Sequence, residues 1–599
     1  MMSEMATSAV SVATPEIRWH CGPTGLNEAV LSLDFLHQHA DETTTGEPTL
    51  ILATGGADKE IKLWRVQGDI KENDGLEFIF SLTGHDRSVN CVRFSPNGQY
   101  LASASDDSTI IVWTKPKTAE ADWSWDKITS FSDVSRTLLA CGHKGDITDI
   151  AWSPDSAYLS SASVDNCSVI WNIEKGEVTE RRKDHTQYVQ GIAWDPLGEF
   201  LVTEGNDRTC RVYSLVGFNA ATAQQTKKQN RKCTNMITIK SRDFPTEQKD
   251  TETPAADAKP ESEDAPAAAK VQPKHRMFLD DTCPVFARRL TWTPDGSYLL
   301  APTGVFRANE AASALNTVYA FARGDMSKPA LHLPGHEKAS LGVRCSPLLY
   351  EVRKDGDSSL PNFFQSVYRS IFAVVTLNAV VIYDSQQCHP VCTVKNLHYA
   401  DLTDATWSAD GQTLSVSSMD GYVSFIRFEE GFFGTSLPNE ERLRINEEKT
   451  KTMFVNTKPT KKRAKPAAQS EDQAAGTKTP KKAKTSSQPE DQSAATKTPV
   501  KSAQPSPILQ AFQKSDSTPS KSEATPATVN TLQVRKKKKI VPTLVTAAPE
   551  TTTSTPPRQE PAIDLTADSD NTSPKPPSTD EASPQVEQKA SNEASLGTQ

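Results

Sequence analysis

Three stretches of this chain align without a gap: His85 to Trp113, His143 to Trp171 and His185 to Tyr213. In each, the His precedes an Asp by 22 residues (Asp107, Asp165, Asp207), and an aromatic follows that Asp by six. Between them run NCVRFSPNGQYLASAS, DITDIAWSPDSAYLSSAS and VQGIAWDPLGEFLVTEG. Each reads as an apolar strand, a Pro-centred turn and a second strand rich in small residues. Two spacings kept three times describe a repeated unit that cannot bury its own apolar faces alone, so the units must stack on one another. A His and an Asp kept at repeat spacing are read as structural rather than catalytic.

These stretches resemble the WD-repeat β-propeller family, in which each unit is a four-stranded blade. The resemblance implies a hydrogen-bond relay at each blade corner. The matching positions are His85, Ser105, Asp107 and Trp113, then His143, Ser163, Asp165 and Trp171. The third unit has His185, Asp207 and Tyr213 but Gly205 in the Ser place, so a weaker relay is expected there. Four further units can be traced, around VLSLDF…LILATGGADKEIKLW, RRLTWTPDGSYLLAPTG, Pro334-Gly335-His336 to IFAVVTLNAVVIYD, and LTDATWSADGQTLSVSSMDGYVSFIRF. The expectation is an all-β, seven-bladed WD-repeat propeller over 15–437, after a flexible N-terminus (1–14). A mobile insertion is expected near 217–275, and a long disordered C-terminal tail over 438–599.

The tail boundary rests on composition. From Glu441 to Gln599 there is no Trp, Tyr or Cys, and Phe occurs only at Phe454 and Phe512. So little apolar surface cannot offset the entropy lost on ordering. Several function classes are excluded on similar grounds. No apolar run approaches the roughly 20 residues that span a bilayer, and Met1 to Pro15 has no signal-peptide pattern. The ten Cys are scattered without metal-ligand spacing and read as reduced thiols of a cytosolic or nuclear protein. GxxxxGK[ST], HExxH and GxSxG are all absent, so neither an enzyme nor a cofactor is expected. A net charge of −9 argues against indiscriminate DNA binding.

Short motifs punctuate the tail. Lys461, Lys462, Arg463 and Lys465, with Lys481, Lys482 and Lys484, read as nuclear-import signals, and the segment from Glu471 is echoed from Glu490 at a period of 19. Thr-Pro and Ser-Pro pairs such as Thr518-Pro519 and Ser573-Pro574 fit proline-directed phosphorylation. A second basic run, Arg535, Lys536, Lys537, Lys538 and Lys539, leads directly into Ile540, Val541, Pro542, Thr543 and Leu544. Cations that steer an encounter, followed by a short extended apolar patch, suit docking on an acidic, grooved partner. Ile563, Asp564, Leu565 and Thr566, flanked by acids, resemble a SUMO-interacting motif. Ile508 to Phe512 is a further apolar island.

Together, EIRWH at Glu16, SVDNCSVIWNIEKG at Ser163, DHTQYVQGIAWDPLGEF at Asp184, RRLTWTPDGSYLLAPTG at Arg288 and SSMDGYVSF at Ser417 go beyond blade consensus. They resemble the family of WD-repeat (middle) subunits of chromatin assembly factor 1. Lys538 to Leu544 is similar to that family's segment for the anti-silencing-function histone chaperone, with Lys here where the family has paired Arg. An ammonium cannot reproduce the bidentate carboxylate contact of a guanidinium. The resemblance implies a nuclear, non-catalytic histone-chaperone subunit. Its partners would be the large and small subunits of that complex, histones H3 and H4, and the anti-silencing chaperone. No membrane and no sequence-specific nucleic acid contact is expected. The competing readings are a ubiquitin-ligase substrate receptor and a general scaffold. The Trp-Asp-x-Arg signature of the former is missing at Trp64-Arg65, Trp113-Thr114 and Trp171-Asn172.

Overall fold

The computed structural model describes residues 9–37, 50–67, 70, 75–118, 123–218, 231–244, 274–353, 364, 366–387, 389–456 and 543–546. Seven antiparallel sheets form the blades of a β-propeller. Blade one runs Val30–Phe35, Leu50–Gly56, Ile61–Val66 and Leu76–Leu82, and blades two to six follow in chain order. Blade seven takes three strands from Leu402 to Phe428 and its fourth from the other end of the chain. Val10–Ala13 pairs with the last of them, Val10 opposite Phe428 and Ala13 opposite Phe425. The expected flexible N-terminus is thus corrected over these residues. A blade's third strand exposes a ladder edge that the alternating Val-Ser-Val-Ala can satisfy, and pairing there joins the chain's two ends into a ring.

Inner strands are buried on both faces, as in Val89–Phe94 and Val189–Trp194, because each is sandwiched between neighbouring blades. Outer strands are partly exposed, as in Glu177–Arg182. The turns after the inner strands reuse one local solution. Gly98 and Gly198 hold φ of 67° and 74° at equivalent places, and Ser156 adopts 58° in the same turn of blade three. A non-glycine residue is uncommon there, but the Ser156 hydroxyl accepts the Asn97 N–H of the preceding blade at 3.2 Å.

Two further boundaries change. The expected insertion after Gly217 contains the outer strand of blade four, Lys232–Ile239, paired with Thr209–Val216. A two-stranded ribbon follows, Ser241–Asp243 with Lys274–Arg276. Blade four needs a fourth strand, and the seven-residue uncharged run Cys233–Ile239 supplies it. The expected tail begins with an 18-residue helix, Asn439–Asn456. Its Ile445 is buried, and Lys449 Nζ reaches the Asp295 carboxylate at 2.7 Å and Ser297 Oγ at 2.8 Å in blade five. An apolar anchor and a partly buried ion pair hold this helix on the ring despite a composition poor in aromatics. All other tail motifs, including the import-like runs, Arg535–Pro542 and Ile563–Thr566, lie outside the described residues.

Candidate functional site

The repeat spacings converge on the blade corners. In blade two, His85 Nδ1 donates to Asp107 Oδ2 (2.9 Å), the Ser103 hydroxyl donates to His85 Nε2 (2.8 Å), and the Trp113 indole N–H donates to Ser103 Oγ (3.0 Å). Blade three repeats this with His143, Asp165, Ser161 and Trp171. The hydroxyl therefore comes from Ser103 and Ser161, correcting the expected Ser105 and Ser163. Both candidates share one face of the strand, two residues apart. Trp113 pairs with Leu101, which brings its ring over Ser103, while Ser105 sits at the turn and receives the Asp107 N–H at 3.1 Å. Ser163 does the same for Asp165. The Gly before the His also has a packing reason: a Cβ on Gly142 would lie 2.1 Å from the Trp171 ring.

In blade four the middle position is Thr203, whose hydroxyl meets His185 Nε2 at 2.7 Å. Gly205 is thus outside the relay. The departure is Tyr213, which has no indole N–H to offer. Two relays escaped the sequence. His20, Thr54, Asp58 and Trp64 form a complete one in blade one, hidden because His20 and Asp58 are 38 residues apart. His398 and Asp420 form another in blade seven at the telltale spacing of 22, with Ser424 supplying the hydroxyl at 2.9 Å from the third strand. Burial opposes ionisation of Asp107, Asp165 and Asp207, yet hydrogen bonds from the paired His and nearby N–H groups hold all three carboxyls below their ordinary range. Every functional group in these relays is consumed by the fold.

Blades five and six lack the relay. Strand register places Ala301 and Phe321 of blade five where Ser and Trp stand in blade two. Blade six keeps His336 but has Val374 in the hydroxyl place and Asn378 in the Asp place. His336 Nε2 has no hydrogen-bond partner, and burial pushes its pKa down to about 4. An ion pair elsewhere anchors blade six, with Arg369 bonded to Asp384 and to the Glu351 and Phe433 carbonyls.

The channel is filled rather than open. Arg93 of blade two and Arg344 of blade six each reach the Asp404 carboxylate of blade seven at 2.8 Å, and Ser32 of blade one donates to it at 2.8 Å. Arg289 of blade five lies 3.4 Å from the same carboxylate and donates to the Asn90 carbonyl at 2.9 Å. Sequence reading gives no sign of this cluster, since its members share no spacing. At one mouth a small pocket of about 90 Å³ is bordered by Leu31, Val285, Phe286, Leu377 and Met419. At the other, a broad cavity of about 710 Å³ is lined by Trp152, Trp194 and Trp292 and roofed by Arg442, Leu443 and Asn446 of the helix. No group of three metal-ligating side chains occurs among the described residues.

One tail motif does reach the ring. Thr543–Thr546 forms a fifth, antiparallel strand on the outer edge of blade six, Thr543 opposite Lys395 and Thr546 opposite Cys392. Of the predicted docking residues, Thr543 and Leu544 lie in this strand.

Comparison with known proteins agrees with the architecture. The model of the CAF1B/HIR1 β-propeller domain matches residues 10–253 and 243–433. The chain is 35% identical to the B-type subunit of chromatin assembly factor 1 from Gallus gallus, over 76% of its own length and 73% of that protein. It is 36% identical to the chromatin assembly factor 1 subunit FAS2 homolog of Oryza sativa subsp. japonica, over 70% and 73%. Similarity extends to protein HIR1 of Kluyveromyces lactis at 24% identity, where 65% of this chain covers 41% of a longer relative.

Proposed function

This chain belongs to the CAF1B/HIR1 β-propeller family and, within it, to the B-type subunits of chromatin assembly factor 1, and on that footing we propose that it is a histone-chaperone scaffold of the nucleus. Its relatives are named as assembly-factor subunits rather than enzymes. The relay His and Asp and the channel Arg side chains are locked into structure, so the ring offers rigid faces for docking. In this reading the propeller joins a large and a small partner subunit and helps place histones H3 and H4 on DNA during replication and repair. The tail segment Arg535 to Leu544 receives the histone cargo's carrier, the anti-silencing-function chaperone, through steering cations and an aliphatic strand.

The observation that carries this reading is identity of 34–36% to assembly-factor subunits, spanning 70–76% of the chain. A pull-down from nuclear extract tests it, with the intact chain and with Ile540, Val541 and Leu544 changed to Ala. The intact chain should recover the two partner subunits, histones and the anti-silencing chaperone, and the triple variant should lose only the last. Recovery of a cullin adaptor without histone chaperones would overturn it.

A further inference from the structure

We propose that the outer edge of blade six is a docking site for the chain's own tail, and that seating Thr543–Thr546 there withholds the basic-hydrophobic motif from its partner in trans. The second half rests on the reading of that motif given above.

An outer blade strand ends in a row of unpaired N–H and C=O groups, which proteins commonly blunt with charge or proline. The outer strand of blade three carries Glu177, Glu180, Arg181 and Arg182, and that of blade five contains Pro334. Blade six has no such guard between Pro390 and Lys395, where the sequence is Val-Cys-Thr-Val. Its one charge, Lys395, is turned to Glu337 at 3.2 Å. Among the described residues this is the only sheet that takes a fifth strand.

The incoming segment suits the edge. Thr-Leu-Val-Thr is uncharged and rich in β-branched residues, and Pro542, which has no amide hydrogen to donate, precedes it. The register sets Leu544 and Thr546 opposite Val394 and Cys392, the two buried residues of the blade strand. A slip by one residue would set them opposite Lys395 and Thr393, or opposite Thr393 and Val391, instead, so the observed pairing is the one a half-buried edge selects. Because Thr543 and Leu544 also belong to the docking motif, a partner that accepts the motif as an added strand must compete with an intramolecular one. An attached competitor acts at an effective concentration of up to about a millimolar, so the cis contact need not be tight to matter.

Directly opposed residues on adjacent strands lie within reach of a disulfide, which gives a test in the full chain. In a Cys141→Ser background, Thr393→Cys with Val545→Cys should form an intramolecular disulfide under mild oxidation, read by peptide mass spectrometry at monomer mass. The off-register pair Thr393→Cys with Leu544→Cys should link at least tenfold less. The oxidised on-register chain should bind purified anti-silencing chaperone at least tenfold more weakly than the same chain reduced. Absence of the link, equal linkage in the control, or a link found only in dimers would overturn docking in cis. A link that leaves binding unchanged would overturn withholding. If the reduced chain does not bind the chaperone, the motif reading falls with withholding, while the linkage result still decides the docking.

Discussion

Blades two and three, set beside blades five and six, show two ways to hold the same four-stranded unit. The first pair spends a His, a Ser, an Asp and a Trp on a closed hydrogen-bond circuit at one corner. In blade five Ala301 and Phe321 stand where the hydroxyl and the indole would be, so that circuit has neither to offer. Replacing all members of a buried polar set by apolar groups can be nearly neutral, whereas removing one strands the others. Blade six stands between, with a His336 whose Nε2 is buried and unpaired. It is also blades five and six that receive the C-terminal segments: blade five the helix through Asp295, blade six the strand Thr543–Thr546. The blades that departed from the repeat are the ones that gained partners.

The heaviest loss is expected where the two kinds of blade are tied together. Asp404→Ala leaves Arg93, Arg289 and Arg344 facing one another without their shared carboxylate, and breaking a buried ion pair on one side costs about 3–5 kcal/mol. Urea unfolding measures this; a loss below about 1 kcal/mol would show that the channel cluster does not hold the ring.

A pair of substitutions probes the two kinds of blade directly. His143→Ala removes the centre of a satisfied network and should destabilise by about 2–3 kcal/mol, with the tail's chaperone binding unchanged. His336→Leu removes an unpaired buried nitrogen and should stay within about 1 kcal/mol of the parent. Equal losses in thermal unfolding would mean that the relay contributes no more than packing.

Acid acts on the relay blades through their carboxylates and on blade six through His336, whose lowered pKa costs stability as pH falls from the unfolded imidazole value of about 6.5 toward about 4. Asp107, Asp165 and Asp207 are depressed in the folded state, so their stabilisation is fully present above the unfolded value of about 3.9 and is lost as pH falls through their folded values. Stability of the parent should fall steeply below about pH 4. Asp165→Asn should be less stable at neutral pH and lose less on acidification; a parallel pair of curves would count against the relay as the acid-sensitive element.

The helix should give the mildest response. Lys449 lowers the Asp295 carboxyl against the opposing effect of burial, and Lys449→Ala should loosen only residues 439–456. Hydrogen exchange should show faster exchange there with no change in the blade strands, and a global change would mean the helix is part of the ring's core.

Much of the ring is legible in the chain's residue spacings, because a relay closes within one blade. His and Asp 22 apart and an aromatic six further on are bound by contacts between neighbouring strands, and such contacts repeat at fixed spacing. His398 and Asp420 carry that same spacing. Ser103 against Ser105 is not decidable from spacing, since both lie on one strand face and only the cross-strand register places the indole over one of them. The composition that changes near residue 440 conceals the helix Asn439–Asn456, which is held by a few tertiary contacts.

The repeated unit, the number of its copies and most of its internal wiring are thus written in the linear order of residues. How the units meet is not. Val10–Ala13 completes a blade more than four hundred residues away, one carboxylate at Asp404 draws arginines from three other blades, and Thr543–Thr546 settles on one edge among seven. The physical reason is distance along the chain. Contacts within a blade recur at a period that can be counted, while contacts between distant segments obey only shape, charge and unpaired backbone, and these exist only once the ring has closed.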